Sequence, residues 1–379
     1  MIKIIRLTLI IAGIFLLNSC SKLTKATDFI TNPSAREVYK REFKNDTVQY
    51  AKWAQAFKNS FEDSISVKVP YLENGSFFPK TNAVYSYNLS LQQGEVFHLQ
   101  VATDSLKTKV FLELFAKTGD SLNPFKSIVR SAIDERELTY RVETTADYKV
   151  TIQPEINAHS PFVIKAYRTP LYYFPVTGKG NAAIQSFWGA NRDAGARRHE
   201  GLDIFAPKGT PVVAATDGWI SSTGNRGLGG KQVWLRSGLW GNSLYYAHLD
   251  SIIATQGQRV KTGDTLGLVG NTGNARTTPS HLHFGIYRGR GGAINPLPYV
   301  FQGTAPIASA GIKNDFEEKI VVKSARANLR NSAFAKAKKI GEASRRDTLE
   351  LLGRSADWLH VRTAANQSAF IHESLVGSI

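Results

Sequence analysis

Apolar residues near the start of the chain recur at helical spacing. The pattern is carried by five residues at intervals of three and four: Tyr50, Trp53, Ala54, Phe57 and Phe61. Charged residues such as Lys52 and Lys58 flank this stripe, so the segment predicts an amphipathic helix. We expect the stripe to pack on a neighbouring domain, in preference to a membrane or a partner protein.

Between about residues 71 and 170 the apolar period changes to two, which is the spacing of half-buried strands. Tyr and Val dominate these runs, and Gly, Asp, Asn and Pro separate them. The stretch therefore predicts an antiparallel β-sandwich. We find no set of metal ligands or nucleophiles in it and assign it an accessory role.

The rest of the chain alternates in shorter runs. Glycine is frequent in residues 171–304, small side chains dominate residues 305–311, and residues 318–379 alternate again, enough for a small β-barrel. The sequence thus predicts a mainly β protein. Its segments are a signal peptide (1–19), a linker with a helix (20–70), the sandwich (71–170), a central domain of antiparallel β-sheet (171–304), a linker (305–317) and the barrel (318–379).

The first twenty residues have the organisation of an export signal. Two basic residues precede an apolar run, Leu7 to Leu17, that is too short to cross roughly 30 Å of hydrocarbon. Cys20 follows Leu17-Asn18-Ser19 directly, which resembles the bacterial lipobox. That resemblance implies that Cys20 is lipidated and becomes the mature N-terminus. A simple signal peptide with an incidental cysteine is the alternative.

Composition and charge narrow the range of partners. The chain has 379 residues, enough for two to four domains, and its 47 Lys and Arg exceed its 31 Asp and Glu by 16. Such an excess favours nucleic acid, an anionic membrane face or an anionic wall polymer. Export argues against nucleic acid, and Cys20 is the only cysteine, so we expect no disulfide. We predict a cell-envelope lipoprotein anchored to a bacterial membrane, on its periplasmic side or at the outer membrane.

Four of the eight histidines lie within 85 residues and carry the candidate chemistry. His199 stands four residues before Asp203, in a segment where Gly201 disfavours the helix of a His-Glu-x-x-His motif. His281 and His283 alternate on a predicted strand, so both side chains point to one face. The segments therefore predict a loop and a strand that direct imidazole and carboxylate groups to one place.

These residue types suit a catalytic zinc site. Such a site takes three protein ligands and leaves a fourth position open. His199, Asp203 and one of the later histidines supply that set, and His248, at the end of another predicted strand, can lie beside it. A group of unrelated structural histidines is the alternative, which their clustering disfavours.

The run from about Asn181 to Val300 resembles the lysostaphin-type zinc metallopeptidases, which cut peptide bonds in bacterial peptidoglycan. Beyond the histidine segments, the resemblance rests on five stretches: residues 206–212, 215–218, 257–264, 270–273 and 294–297. It implies one zinc ion held by His199, Asp203 and His283. It also implies that His248 and His281 are catalytic residues outside the ligand set, which orient water, stabilise the oxyanion and pass a proton.

The charged residues next to these histidines are not assigned as ligands or as catalytic groups. Glu200 should alternate away from the metal in an extended segment, so we do not assign it as general base. Arg192, Arg197 and Arg198 are expected on a solvated basic face, with contact to substrate carboxylates as the alternative.

Residues 318–379 resemble the bacterial SH3-like domains attached to wall hydrolases. The matching segments are residues 327–330, 340–341, 358–362 and 369–372. The usual Gly-Pro turn is replaced by Asn331-Ser332-Ala333. The resemblance implies a module that holds the peptidase near wall stem peptides, and simple packing is the alternative.

Together these inferences predict a zinc endopeptidase that hydrolyses stem-peptide or cross-link bonds of bacterial peptidoglycan during wall remodelling. Its partners would be peptidoglycan and, through the N-terminal lipid, a membrane. Cleavage between D-alanine and a diamino acid is favoured over a glycine bridge, because a lipoprotein of this architecture suggests a thin-walled cell. The alternatives are a non-catalytic wall-binding regulator of another hydrolase, which the complete ligand set disfavours, and a peptidase of other proteins.

Overall fold

The computed structural model describes residues 28, 31–79, 81–105, 107–238, 241–303 and 317–379. The predicted signal peptide and Cys20 lie outside these ranges, as does nearly all of the predicted linker at 305–317. Within them, no helix is both long and apolar enough to cross a membrane.

Two helices begin the described chain, α1 at Ala35–Lys40 and α2 at Thr47–Asn59. Ser34 and Glu37 form a reciprocal capping box that satisfies free N–H groups at the start of α1. The predicted apolar stripe of α2 packs inward, since Trp53 is buried and its indole N–H donates to the carbonyl of Pro154 at 2.8 Å. A one-turn helix, α3, spans Leu297–Val300.

The sandwich is built from the first eight strands, which form two antiparallel layers. The strands are β1 Tyr71–Phe77, β2 Tyr85–Leu91, β3 Glu95–Thr103, β4 Val110–Lys117, β5 Phe125–Arg130, β6 Glu137–Arg141, β7 Ala146–Pro154 and β8 Ser160–Pro170. One layer has the order β1-β8-β3-β6 and the other β2-β7-β4-β5. Alternate side chains from both layers share one buried core, as the period of two requires.

Short strands make up the central region. They are β9 Ile184–Ser186, β10 Asn191–Arg192, β11 Arg197–Arg198, β12 Leu202–Phe205, β13 Pro211–Val213, β14 Gly218–Arg226, β15 Gly230–Arg236, β16 Ser243–Ala247, β17 Leu249–Ile252, β18 Arg259–Val260, β19 Thr265–Val269, β20 His281–Tyr287 and β21 Ala293–Ile294. The main sheet has the order β18-β14-β15-β16-β20-β12-β9, with β21 paired to β20. A second sheet, β13-β19-β17, and the hairpin β10-β11 complete the region.

The C-terminal strands continue the sheet of the sandwich. They are β22 Lys319–Val322, β23 Arg326–Arg330, β24 Lys339–Ser344, β25 Thr348–Ser355, β26 Trp358–Arg362, β27 Ser368–His372 and β28 Val376–Ser378. They enclose a small core of their own, and β25 pairs with β1 at Arg354 and Asn74. The predicted mainly β fold class is confirmed, but residues 317–379 form an open path of strands and no closed barrel is found among them.

The altered turn of the C-terminal module lies against the sandwich. Ser66 donates its N–H to the carbonyl of Asn331 at 2.8 Å, and the Ser332 hydroxyl donates to the carbonyl of Ser66 at 2.7 Å. Leu352 and Phe370 are part of the sandwich core. The chain therefore leaves the sandwich, forms the central region and returns to pack on the domain it left. The predicted domain boundaries stay predictions.

A buried carboxylate joins the two stretches. Glu73 of β1 is fully buried and accepts hydrogen bonds from the hydroxyls of Tyr71 and Tyr87 and, at 3.0 Å, from Nδ1 of His360 on β26. Burial, followed by the charge of Glu73, raises the pKa of both tyrosines well above its usual value, so their hydroxyls remain donors. His360 thus has a structural partner.

Replacing Glu73 by alanine is expected to cost about 3–5 kcal/mol of the free energy of unfolding, because three buried donors lose their acceptor. Glu73→Gln, which keeps one carbonyl acceptor, should cost less. Glu342→Ala is the matched control, since Glu342 lies in an exposed pair with Lys339 and should leave stability unchanged. Denaturant unfolding followed by tryptophan fluorescence measures all three variants. Equal losses for Glu73→Ala and the control would contradict the buried network.

Candidate active site

Strand register brings the predicted site residues together. β12 runs antiparallel to β20, with Asp203 opposite His283 and Phe205 opposite His281. Alternation then places these four side chains on one face of the sheet. His199 enters from the loop after the β10-β11 hairpin, where its N–H donates to the carbonyl of Ala190 at 2.8 Å.

Three ligand atoms converge at the centre of this face. Nε2 of His199 lies 3.0 Å from Oδ1 of Asp203 and 3.0 Å from Nδ1 of His283, and the remaining pair is separated by 3.1 Å. Donor atoms about 2.0–2.1 Å from a tetrahedral zinc stand about 3.3 Å apart, so the observed triangle has the size that zinc requires. Two nitrogens and one carboxylate oxygen are also ligands that zinc prefers.

The hydrogen bonds of His199 favour a cation at this point. Its Nδ1 lies 2.9 Å from the carbonyl of Phe187, which only accepts, so Nδ1 carries the proton and Nε2 presents a lone pair. That lone pair faces the carboxylate of Asp203, another acceptor. A metal-ligating histidine commonly donates its other ring N–H to a backbone carbonyl, and this hydrogen bond fixes its tautomer. A metal ion between the two acceptors would bind both lone pairs and remove their repulsion.

Asp203 divides its two oxygens between the histidines and an arginine. Oδ1 faces His199 and His283, while Oδ2 accepts a hydrogen bond from Arg192 at 2.6 Å. The same Arg192 nitrogen donates to Ser186 at 2.6 Å. Burial opposes ionisation of Asp203, but the close contacts with His199 and His283 outweigh it and hold the pKa of the carboxyl well below its usual range. The group is therefore an anion at neutral pH.

His248 and His281 stand beside these three groups. Their rings are 5.1 Å apart between centroids, and Nε2 of His281 lies 3.9 Å from Oδ1 of Asp203. Each donates its Nδ1 proton to a backbone carbonyl, Thr272 at 2.9 Å for His248 and Pro279 at 2.8 Å for His281. Burial, and then the nearby His283 and His281, lowers the pKa of His248 to about 4, so this ring is neutral at pH 7.

His248 reaches the site because its backbone is left-handed. It lies between β16 and β17 with φ of 63°, a region that non-glycine residues seldom occupy. Regular alternation would place it on the face of Tyr246, which is buried in the core instead. The left-handed residue interrupts the alternation and directs the imidazole toward His281 and His283.

Gly201 is required by close packing. A Cβ at this position would lie 2.7 Å from the His283 ring and 2.7 Å from the carbonyl of Phe284. Only glycine allows the His199–Asp203 loop to approach β20 this closely. Glu200, its neighbour, accepts a hydrogen bond from Tyr287 at 3.4 Å and does not belong to the cluster of ligand atoms.

The five histidine and aspartate groups line a cleft of about 780 Å³. Every described residue that lines it lies between positions 186 and 287, so the sandwich and the C-terminal strands contribute no described residue to its wall. Arg192, Arg197, Arg198 and Arg226 make its charged lining strongly basic. The cleft is therefore suited to a substrate that carries carboxylates.

Some site residues are absent from the sequence-based prediction. Phe205 stacks on His281 with centroids 4.9 Å apart, and Tyr245 meets the edge of His283 at 5.9 Å. Alternation from Asp203 and from Ala247 could have found both. Arg192 was expected on a solvated face and is instead bonded to Asp203, a contact for which the sequence gives no signal.

Comparison with known proteins matches the central region to a peptidase family. Residues 197–296 match the sequence profile of peptidase family M23. The predicted resemblance to lysostaphin-type peptidases is thus confirmed for these residues. The structure brings all five predicted site residues together, while the role of each stays a prediction.

Two curated proteins and one solved structure show how similar this chain is to known proteins. The chain is 33% identical over 138 residues to the L-Ala–D-Glu endopeptidase of Bacillus subtilis, covering 34% of this chain and 42% of that protein. It is 36% identical over 136 residues to the uncharacterized lipoprotein YgeR of Escherichia coli, covering 36% and 49%. The catalytic domain of lysostaphin from Staphylococcus simulans shares 30% identity, covering 30% and 88%, with a TM-score of 0.28. The chain spans less than half of the first two proteins.

Arg192 is expected to position the carboxylate of Asp203. Arg192→Ala should weaken zinc binding 10- to 100-fold, the usual cost of losing a partner behind a metal ligand. Arg192→Lys, which keeps the charge, should restore part of the affinity. Arg198→Ala is the matched control, because Arg198 is exposed and its side chain donates a hydrogen bond to the carbonyl of Gly189, away from Asp203. Competition with a chromogenic chelator measures zinc affinity, and an equal loss in the control would contradict the role.

Proposed function

We propose that the chain is a zinc endopeptidase that hydrolyses peptide bonds in bacterial peptidoglycan. The proposal is carried by one observation: His199, Asp203 and His283 direct three ligand atoms to a single point beside two further histidines, at the wall of an open cleft. This arrangement lies within the stretch that matches the profile of peptidase family M23. Relatives in Vibrio cholerae that are named peptidoglycan DD-endopeptidases support the substrate class.

The chemistry follows from the donor set. When bound by His199, Asp203 and His283, zinc supplies a Lewis acid for the scissile carbonyl and for the attacking water. Asp203 contributes negative charge through Oδ1 while Arg192 neutralises Oδ2. The two ligand histidines are neutral donors, so a net positive charge is kept at the site.

His248 and His281 transfer the proton between the attacking water and the leaving amine. Each is held through Nδ1 by a backbone carbonyl, so each presents Nε2 as the group that exchanges a proton with water or with the leaving amine. The lowered pKa of His248 keeps the ring neutral at pH 7, so its Nε2 lone pair is available to accept a hydrogen bond or a proton. Because both rings adjoin the ligand cluster, they can also stabilise charge on the carbonyl oxygen.

The finer assignments belong to the same proposal. The scissile bond joins D-alanine to a diamino acid, whose free carboxylate suits the basic lining of the cleft. The enzyme works in the cell envelope, held by lipid on Cys20. One zinc ion serves each chain. The complete set of ligand and catalytic residues argues against a non-catalytic regulator.

Digestion of purified peptidoglycan tests the proposal. Protein comprising residues 21–379 is loaded with zinc, incubated with sacculi of several wall types, and the released muropeptides are identified by mass spectrometry. Conversion of cross-linked dimers to monomers is the expected result for walls that contain diaminopimelate. His283→Ala protein should release nothing. If zinc-loaded protein also releases nothing from any wall type, the enzyme assignment fails and a regulatory role replaces it.

A further inference from the structure

The two N-terminal helices leave an open groove on the side that faces away from the sandwich. The groove has a volume of about 670 Å³, and the described residues that line it lie between positions 37 and 58. Its apolar floor is formed by Phe43, Tyr50 and Ala54, which are half-buried and also pack on the cluster around Trp53, and Ala51 is exposed beside them. The opposite side of the helices is occupied, because Trp53 and Tyr39 are buried against Phe111 of β4.

Basic side chains surround this apolar floor. Lys40, Arg41, Lys44 and Lys58 line the groove, against the single carboxylate of Glu37. The three lysines are exposed, and no ion pair is found for any of them within the part of the chain that the structure describes. An apolar groove with a rim of free lysines is complementary to a surface of anionic head groups over hydrocarbon.

The path of the chain brings the groove close to the proposed anchor. The carboxylate of Asp28 accepts two hydrogen bonds from Arg41, at 2.7 and 2.8 Å, so the first described residue lies at the edge of the groove. Cys20 precedes Asp28 by eight residues, which span at most about 29 Å. A lipid on Cys20 would therefore keep this groove within a short distance of the membrane surface.

We propose that this helix pair binds the surface of an anionic phospholipid membrane through the groove and through Lys40, Lys44 and Lys58. The lysine ammonium groups meet lipid phosphates while the apolar floor faces the boundary of the acyl chains. The inward face of α2 keeps the sandwich fixed to this contact through Trp53. The contact orients the protein on the membrane, which a flexible lipid tether alone does not do. The proposal is independent of the peptidase activity.

Vesicle flotation tests the proposal without the lipid anchor. The protein comprising residues 21–379 keeps every described residue and lacks Cys20, so any binding comes from the folded chain. It should float with vesicles that contain phosphatidylglycerol and not with pure phosphatidylcholine vesicles, and binding should fall in high salt. Each basic residue near an anionic surface contributes about fivefold, so the triple variant Lys40→Gln, Lys44→Gln, Lys58→Gln should bind roughly 100-fold more weakly.

Matched controls separate this groove from net charge. The triple variant Lys179→Gln, Lys336→Gln, Lys338→Gln removes the same charge from exposed positions outside the helices and should bind as the parent does. Ala51→Glu adds a carboxylate at an exposed position that lines the groove and should weaken binding, whereas Ala365→Glu, at an exposed position elsewhere, should not. Thermal unfolding of each variant checks that the fold is intact.

Three results would overturn the proposal. One is equal loss of vesicle binding in the two triple variants. Another is binding to neutral vesicles as tight as to anionic ones. The last is a triple variant at the groove that keeps its vesicle binding but no longer binds isolated sacculi, which would make a wall polymer the occupant.

Discussion

Replacing His283 by alanine is expected to remove zinc and hydrolysis together. The triangle of His199, Asp203 and His283 measures 3.0–3.1 Å on each side, and two remaining ligands cannot close it. Loss of a group behind a ligand costs 10- to 100-fold in metal affinity, so loss of the ligand itself should exceed roughly 100-fold. Metal analysis after dialysis and muropeptide release measure the two effects on one sample.

His159→Ala is the matched control for this experiment. His159 is exposed on the sandwich, so its removal should change neither the bound zinc nor the rate. If His283→Ala protein retains stoichiometric zinc, His283 is not a ligand and the assignment of the metal site is wrong. If it loses zinc while hydrolysis continues, the activity does not depend on this site.

Replacing His281 by alanine is expected to abolish most of the hydrolysis while leaving zinc bound. Its Nε2 lies 3.9 Å from Asp203, outside the tight triangle, and its Nδ1 is committed to the carbonyl of Pro279. Zinc content should therefore stay near that of the parent protein. Turnover should fall about 10²- to 10⁴-fold, the usual contribution of a positioned proton-transfer group.

Zinc content and single-turnover rates, measured on the same preparations, show whether His281 acts in catalysis or as a zinc ligand. Phe205→Leu is a useful companion, because it removes the ring stacked on His281 and keeps the imidazole. It should lower the rate by a smaller factor and leave zinc in place. Loss of zinc from His281→Ala protein would show that His281 is a zinc ligand. Unchanged turnover would show that His281 takes no part in catalysis.

Much of the local structure could be predicted because it depends on short-range periodicity. The stripe containing Trp53 and Phe57 sets the inward face of α2, and the period of two between residues 71 and 170 produces the sandwich. The same rule places His281 and His283 on one face of β20. These features need only the geometry of a single helix or strand.

The site was also accessible from sequence, through residue types in a recognisable order. All five predicted residues meet in the structure, although their separation along the chain reaches 84 residues. The residues that surround them were less accessible. Arg192 is two strands away from Asp203 in sequence order, and no periodicity predicts that their side chains bond.

The sequence by itself predicted the strands and the helix stripe, because they follow from local spacing, and its resemblance to a known family implied which side chains act as ligands and which as catalytic groups. Only the tertiary structure decided the left-handed backbone that directs His248 into the cleft and the return of the C-terminal strands to the sandwich around Glu73 and His360. The physical reason is that both depend on contacts between distant segments. A carboxylate such as Glu73 can be buried only when its donors, from β1, β2 and β26, are already in place.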